Sequence, residues 1–236
     1  MSMRVLSFVL LMLVVGVGCA NAVPPAEDAT KPAERLAEGW WKERHEQKKP
    51  LRDYRVAFLG DSITQGWEGA GLAAWNQHLA EFKPANFGYS GDRTSHVLWR
   101  LEQGELLPAK PELVVMMIGT NNIGHGTNTP TETVAGIRAI LAKIRKESPK
   151  TKVLLLAVFP RDPAPDGQFR KQVVEINAAL AKLKEPNVTY RDYADAFLGP
   201  NGALRMDIMP DALHLNEAGY QIWAERLVKD LRAILK

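Results

Sequence analysis

Five short, nearly unbroken apolar runs set the strongest limit on what this chain can fold into: Arg55–Leu59, Ala85–Phe87, Leu113–Ile118, Val153–Phe159 and Val188–Tyr190. A strand with one wet face alternates apolar and polar residues, so a continuous run reads as a strand covered on both faces. Helix-length stretches separate the runs. The clearest begins at Thr129-Pro130: Thr129 can cap, Pro130 suits the first helical position, and Glu132 completes a capping box. Val134, Ile137, Leu141 and Ile144 then form one apolar stripe, and Val173, Ile176, Leu180 and Leu183 form another. A last helix starting near Asn216 turns Tyr220, Trp223, Leu227, Leu231 and Ile234 inward. The alternation predicts an α/β domain with a central parallel sheet of about five strands and helices on both faces. In such sheets the chemistry sits on loops at the carboxyl ends of the strands.

A chain of 236 residues fits one such domain. Its net charge of +3, with acidic and basic residues mixed along the chain, gives no nucleic-acid-binding stripe. The N-terminus differs from the rest. Met1–Arg4 is short and basic, Val5–Gly18 is apolar, and Ala20-Asn21-Ala22 is a small-x-small cleavage pattern. That order predicts a secretory signal peptide over residues 1–22 and an exported protein, periplasmic or extracellular. Gly16-Val17-Gly18-Cys19 loosely resembles a lipoprotein box, so lipidation of Cys19 and a membrane tether stand as the alternative. Cys19 is the only cysteine, so the mature domain has no disulfide, thiolate metal site or cysteine nucleophile. Residues 23–32, rich in Pro and Ala, read as a flexible linker to a domain spanning 33–236. Ala33–Lys49 reads as a charged peripheral helix whose Trp40 and Trp41 dock on the domain.

Four junctions hold unusual residues: after strands, Gly60-Asp61-Ser62, Gly88-Tyr89-Ser90-Gly91-Asp92 and Gly119-Thr120-Asn121-Asn122, and just before the last helix, Asp211-Ala212-Leu213-His214. A serine at a strand-to-helix turn lies beside backbone N–H groups and the positive end of a helix, which suits a nucleophile. Taken alone, Ser62 reads equally well as a helix cap. Asp211 and His214 on one short turn allow the carboxylate to orient the imidazole, although many such pairs are plain surface contacts. Gly91 can offer an unobstructed backbone N–H, or simply make a tight turn. Asn121 can offer an amide, or simply a loop contact. Asp61 can tie the turn or cap the helix.

Together, in this order, the junctions resemble the SGNH (GDSL) hydrolase superfamily, marked by a catalytic Ser, an oxyanion Gly, an oxyanion Asn and a catalytic His in separate blocks. The matching stretches are FLGDSITQGW, NFGYSGDRTSHVLWRLEQGEL, MIGTNNIGHGTNTP and PDALHLNEAGY, and the resemblance covers roughly residues 50–235. Within the superfamily the chain is most similar to the catalytic subunits of intracellular platelet-activating-factor acetylhydrolase and their bacterial relatives. The resemblance implies a flavodoxin-like three-layer α/β/α fold. It implies a triad of Ser62, Asp211 and His214, with an oxyanion hole of the Ser62 N–H, the Gly91 N–H and the Asn121 amide. Gly91 rather than Gly88 carries over because the family's glycine stands immediately before an Asp. Asn122 stands where many members have Asp, but the acetylhydrolase-like branch shares the Asn. No G-x-S-x-G elbow, phosphate-loop lysine or H-E-x-x-H motif competes. Of five histidines, His45, His78 and His96 read as surface or packing residues and His125 as a non-catalytic loop residue. Trp67, Trp75 and Trp99 read as packing.

The expected activity is therefore hydrolysis of short acyl esters, acetyl above all, with no metal or cofactor. An O-acetylated carbohydrate is the first substrate expected, and a phospholipid or lysophospholipid the second. A homodimer is an option, since the related subunits dimerise. A non-catalytic carbohydrate-binding domain on the same fold is the reading from another class, disfavoured because Ser62, His214 and Asn121 are all present.

Overall fold

The computed structural model describes residues 27–236, so the leader, Cys19 and the start of the linker lie outside the described residues. Five parallel strands form one sheet: β1 Val56–Gly60, β2 Pro84–Gly88, β3 Leu113–Met117, β4 Lys152–Leu156 and β5 Val188–Arg191, in the order β2-β1-β3-β4-β5. The helices are α1 Gly39–Lys48, α2 Ser62–Gln65, α3 Leu72–Ala74, α4 Thr94–Glu102, α5 Thr120–Gly124, α6 Pro130–Glu147, α7 Gln168–Leu180 and α8 Glu217–Ile234. This is the three-layer α/β/α architecture expected, and its strand order is the flavodoxin-like one.

The unbroken apolar strands follow from cover on both faces. Val56, Phe58, Val115, Met117, Leu154 and Leu156 point into a core closed by Trp67 and by Tyr220, Trp223, Leu227 and Leu231 of α8. Ala57, Leu59, Val114, Met116, Val153 and Leu155 point the other way, against α4, α6 and α7. The α6 capping box forms as expected, with Glu132 accepting from the Thr129 N–H at 2.7 Å. β4 is shorter than its apolar run. The Ala157 N–H still donates to Arg191 O of β5 at 2.8 Å, and beyond it the Asn177 side chain takes over the backbone of Val158, accepting from its N–H and donating to its carbonyl, both at 2.9 Å.

The N-terminal segment departs from expectation in two ways. The helix expected over Ala33–Lys49 starts only at Gly39, because residues 33–38 are drawn onto the domain: the Ala33 N–H donates to Ser95 O at 3.1 Å. The described part of the linker, from Glu27, is likewise docked rather than free. Glu27 pairs with Arg93, and Ala29, buried, accepts at its carbonyl from Thr94 Oγ1 at 2.9 Å.

Candidate active site

β1 leads to β2 on one side and its other neighbour β3 leads to β4 on the other, so the connections leaving β1 and β3 diverge and open a crevice at their carboxyl ends. There α2 folds back sharply. A Cβ at Gly60 would stand 2.4 Å from Met117 O and 2.2 Å from Thr64 Oγ1, so only glycine lets the helix approach. Asp61 is fully buried and caps α2, accepting from the Ile63 N–H at 3.0 Å. Burial pushes the Asp61 carboxyl up to about 7, although the Ile63 N–H opposes the rise. The far side of the turn is pinned by Tyr220, whose hydroxyl donates to Ile63 O at 2.7 Å, and by Asn86, which donates to Thr64 O at 2.9 Å.

Ser62, the first residue of α2, is half-buried and meets His214 across 152 positions of sequence: Oγ lies 2.9 Å from Nε2. His214 Nδ1 lies 2.6 Å from Asp211 Oδ2, while the other Asp211 oxygen accepts from the N–H groups of His214 at 2.7 Å and Leu213 at 3.0 Å. Partial burial pushes the Asp211 carboxyl up. The His214 N–H, the His214 ring and the Leu213 N–H outweigh it and hold the group below its ordinary range. An ionised Asp211 accepting Nδ1–H leaves the Nε2 lone pair facing the serine hydroxyl, the tautomer that proton abstraction requires.

Gly91 lies in a turn closed by the Asp92 N–H donating to Tyr89 O at 3.1 Å, and its φ of +74° is a conformation glycine adopts without strain. Asn121, buried in the first turn of α5, donates through Nδ2 to Asp92 O at 3.0 Å. One amide hydrogen is taken by that bond and a second remains on the group. The Ser90 N–H donates to Gln65 Oε1 at 2.7 Å, tying the Gly91 turn to the Ser62 helix. Beside Ser62 opens a cleft of about 510 Å³ lined by Ser62, Gln65, Gly66, Glu68, Gly69 and Ser90. A cavity of similar size, about 560 Å³, opens between Lys110 and Lys152 at the opposite sheet edge and contains none of these residues.

The structure thus brings Ser62, His214 and Asp211 into one hydrogen-bonded chain and ties Asn121 to the turn carrying Gly91. Asp61 lies beneath, as a cap. His45 and His96, expected at the surface or in packing, are buried: His45 Nδ1 lies 2.7 Å from Glu105 Oε2, and His96 Nδ1 accepts from the Arg93 N–H at 3.0 Å. His78 contacts Gln221 and exposed His125 contacts Arg93. Trp41 and Trp67 are buried, and Trp40 is exposed. Tyr220, Gln65 and Arg161 were not foreseen as supports. Arg161 Nη1 donates to Thr120 O at 3.1 Å, directly before Asn121. Its position shortly after the fourth apolar run was the available signal. Among the described residues, no group of three His, Cys, Asp or Glu side chains could hold a metal ion.

The family model of the GDSL-like Lipase/Acylhydrolase family matches residues 58–222. The chain is 34% identical over 202 residues to human platelet-activating factor acetylhydrolase IB subunit alpha1, covering 83% of this chain and 84% of that one. It is 37% identical over 168 residues to the alpha2 subunit of Rattus norvegicus, covering 70% of each. Among solved structures, a GDSL-like lipase from Bacteroides thetaiotaomicron has a similar fold, with a TM-score of 0.64 at 23% identity over 81% of this chain and 96% of that one. An acetylxylan esterase from Geobacillus stearothermophilus has a TM-score of 0.61 at 20% identity over 79% and 96%. A parallel three-layer sheet carrying a Ser-His-Asp hydrogen-bond chain at its carboxyl edge defines a class of α/β hydrolytic enzymes. The chain belongs to the GDSL-like lipase/acylhydrolase family within the SGNH superfamily, and it is an esterase.

Proposed function

We propose that the protein is a serine acetylesterase acting through Ser62, His214 and Asp211, and that its substrate is an O-acetylated carbohydrate. The observation that carries the catalytic assignment is the unbroken chain from Asp211 Oδ2 through the His214 ring to Ser62 Oγ, at 2.6 and 2.9 Å. Ser62 attacks the ester carbonyl as His214 Nε2 takes its proton, and Asp211 stabilises the imidazolium. The N–H groups of Ser62 and Gly91 and the Asn121 amide receive the oxyanion. His214 then protonates the departing alcohol, and water, activated by the same ring, releases acetate from Ser62.

The carbohydrate reading is supported by the cleft beside Ser62. It is open, and Gln65, Glu68 and Ser90 offer hydrogen bonds to a hydroxylated alcohol portion instead of a deep apolar tunnel for a long acyl chain. The acetylxylan esterase among the similar folds is in keeping with it. A second reading, removal of acetyl from a phospholipid, draws on the relatives named platelet-activating factor acetylhydrolase. Both readings share the acetyl group. Purified protein is assayed on acetylated xylo-oligosaccharides, on platelet-activating factor, and on p-nitrophenyl esters from acetate to decanoate. Activity highest on acetate and on the acetylated sugar supports the proposal. A preference for platelet-activating factor selects the second reading, and rates rising toward decanoate overturn both. An export leader over residues 1–22 belongs to the same reading, and N-terminal sequencing of the mature protein at Val23 tests it against a lipidated Cys19.

A further inference from the structure

The Gly91 turn is held from outside by a residue that lies before the span matched by the family model. Arg35, ahead of α1, lays its guanidinium over the turn. Nη1 donates to Ser90 O at 2.8 Å and to Asp92 Oδ1 at 2.9 Å. Nε and Nη2 donate to the two oxygens of Glu38 at 2.8 and 2.7 Å, which fixes the plane of the guanidinium. A Cβ on Gly91 would stand 3.2 Å from Arg35 Nη2, so the group lies against the glycine backbone itself. Asp92 is the hub beneath. Its side chain is fully buried and accepts from Arg35 and from Trp41 Nε1 at 2.8 Å on one oxygen, and from Arg100 Nε at 2.9 Å on the other. Its carbonyl is the acceptor that orients the Asn121 amide. Both candidate oxyanion donors outside the Ser62 turn therefore hang on one residue, and Arg35 closes the open side of that residue.

We infer that Arg35 is a positioning residue for the oxyanion donors, acting through Asp92 to fix the Gly91 N–H and the Asn121 amide in the geometry that receives the developing charge. The inference rests on the esterase assignment of the preceding subsection. A plain structural role for Arg35, fastening the N-terminal segment, predicts something different. That segment is also fastened by Glu27 to the Arg93 guanidinium and by the Ala29 carbonyl to the Thr94 hydroxyl, contacts that make no hydrogen bond to Ser90, Gly91 or Asp92. Loosening those contacts should leave catalysis alone if Arg35 works as inferred.

The test compares Arg35→Met, Arg35→Lys and Glu27→Gln in the full mature protein, with p-nitrophenyl acetate kinetics, thermal unfolding and fluorophosphonate labelling of Ser62. Misplaced donors lower kcat and leave ground-state binding, so Arg35→Met should lose on the order of 10- to 100-fold in kcat with KM within about threefold. Arg35→Lys keeps the charge but not the fork, and should fall between Arg35→Met and wild type. Added methylguanidinium at millimolar concentration should restore part of the Arg35→Met rate. Glu27→Gln should keep kcat within about twofold. If Arg35→Met does not fold, the Arg35→Lys kcat loss decides. Three results overturn the inference while leaving the esterase assignment intact, provided wild-type Ser62 is labelled: an unchanged kcat in both Arg35 variants, a rise in KM alone, or an equal kcat loss in Glu27→Gln. Failure of wild-type Ser62 to label overturns both.

Discussion

Two neighbouring asparagines should fail in opposite ways when truncated. Asn121 makes one side-chain bond, to Asp92 O at 3.0 Å. Asn122, fully buried, makes three: it accepts from the Thr94 N–H at 3.1 Å and donates to Thr94 Oγ1 at 3.0 Å and Asn128 Oδ1 at 2.7 Å. With Asn121 as the proposed oxyanion donor, Asn121→Ala costs about 2.7–4 kcal/mol of transition-state stabilisation, or roughly 10²–10³ in kcat. Its stability cost is that of leaving one buried carbonyl unpaired, about 1–3 kcal/mol. In a domain of this size that amounts to a fall in Tm on the order of 2–12 °C. Asn122→Ala removes three buried bonds, leaving the Thr94 N–H without its acceptor, and should cost about 3–5 kcal/mol of stability, while kcat in the fraction that remains folded falls by less than about tenfold. Thermal unfolding and steady-state kinetics on acetate esters, run below both transitions, separate the two. An Asn121→Ala enzyme within about threefold of wild-type kcat would rule out a donor role for Asn121, and an Asn122→Ala protein as stable as wild type would rule out a structural one for Asn122.

Further outcomes follow from the same geometry. Asp211→Asn removes the acceptor that sets the His214 tautomer and should lower kcat by roughly 10²–10⁴, measured at neutral pH where the native carboxylate is ionised. Asp61 has its folded pKa raised to about 7 from an ordinary value of about 4, so between those limits the native state binds more protons than the unfolded one and its stability falls as pH rises. Asp61→Asn, which keeps the cap and cannot ionise, should gain Tm relative to wild type from pH 4 to pH 7 and then level off; a flat difference contradicts the assigned burial penalty. Arg100, fully buried between Asp92 and Glu105 and 3.9 Å from the centroid of the Tyr89 ring, should cost about 3–5 kcal/mol when cut to Ala, read by denaturant unfolding. Arg226→Ala, at the exposed pair with Asp195, should change little.

The sheet was legible because its central strands β1, β3 and β4, buried on both faces, leave apolar runs that no amphipathic helix would produce, whereas edge strand β5 is only half-buried. Their ends were less so: Phe159 belongs to the fourth run by composition, yet Asn177 captures the chain at Val158. The meeting of Ser62 with His214, and of Asn121 with the turn carrying Gly91, was legible through block order, since each residue alone had an ordinary structural explanation. The supports were not. Trp41 and His45 stand one helical turn apart and share the buried face of α1, but they are only two apolar-facing residues in a charged helix, too weak a stripe to announce itself. Arg35 has one local partner, Glu38, but nothing nearby points to the site, because Ser90 and Asp92 lie 55 and 57 residues away. Tyr220 read as core in α8, and it is core, but its hydroxyl also reaches the nucleophile turn 157 residues away. Distant polar partners of this kind leave no period in a sequence.

Mapping a fluorophosphonate adduct by peptide mass spectrometry, with wild type and His214→Ala treated in parallel, shows whether the imidazole activates Ser62. A single phosphonyl group on Ser62, formed stoichiometrically in wild type and slowed by orders of magnitude without the imidazole, is the result this geometry requires. An adduct on another residue, or equal labelling of Ser62 in both proteins, would mean that the 2.9 Å contact between Ser62 Oγ and His214 Nε2 activates nothing.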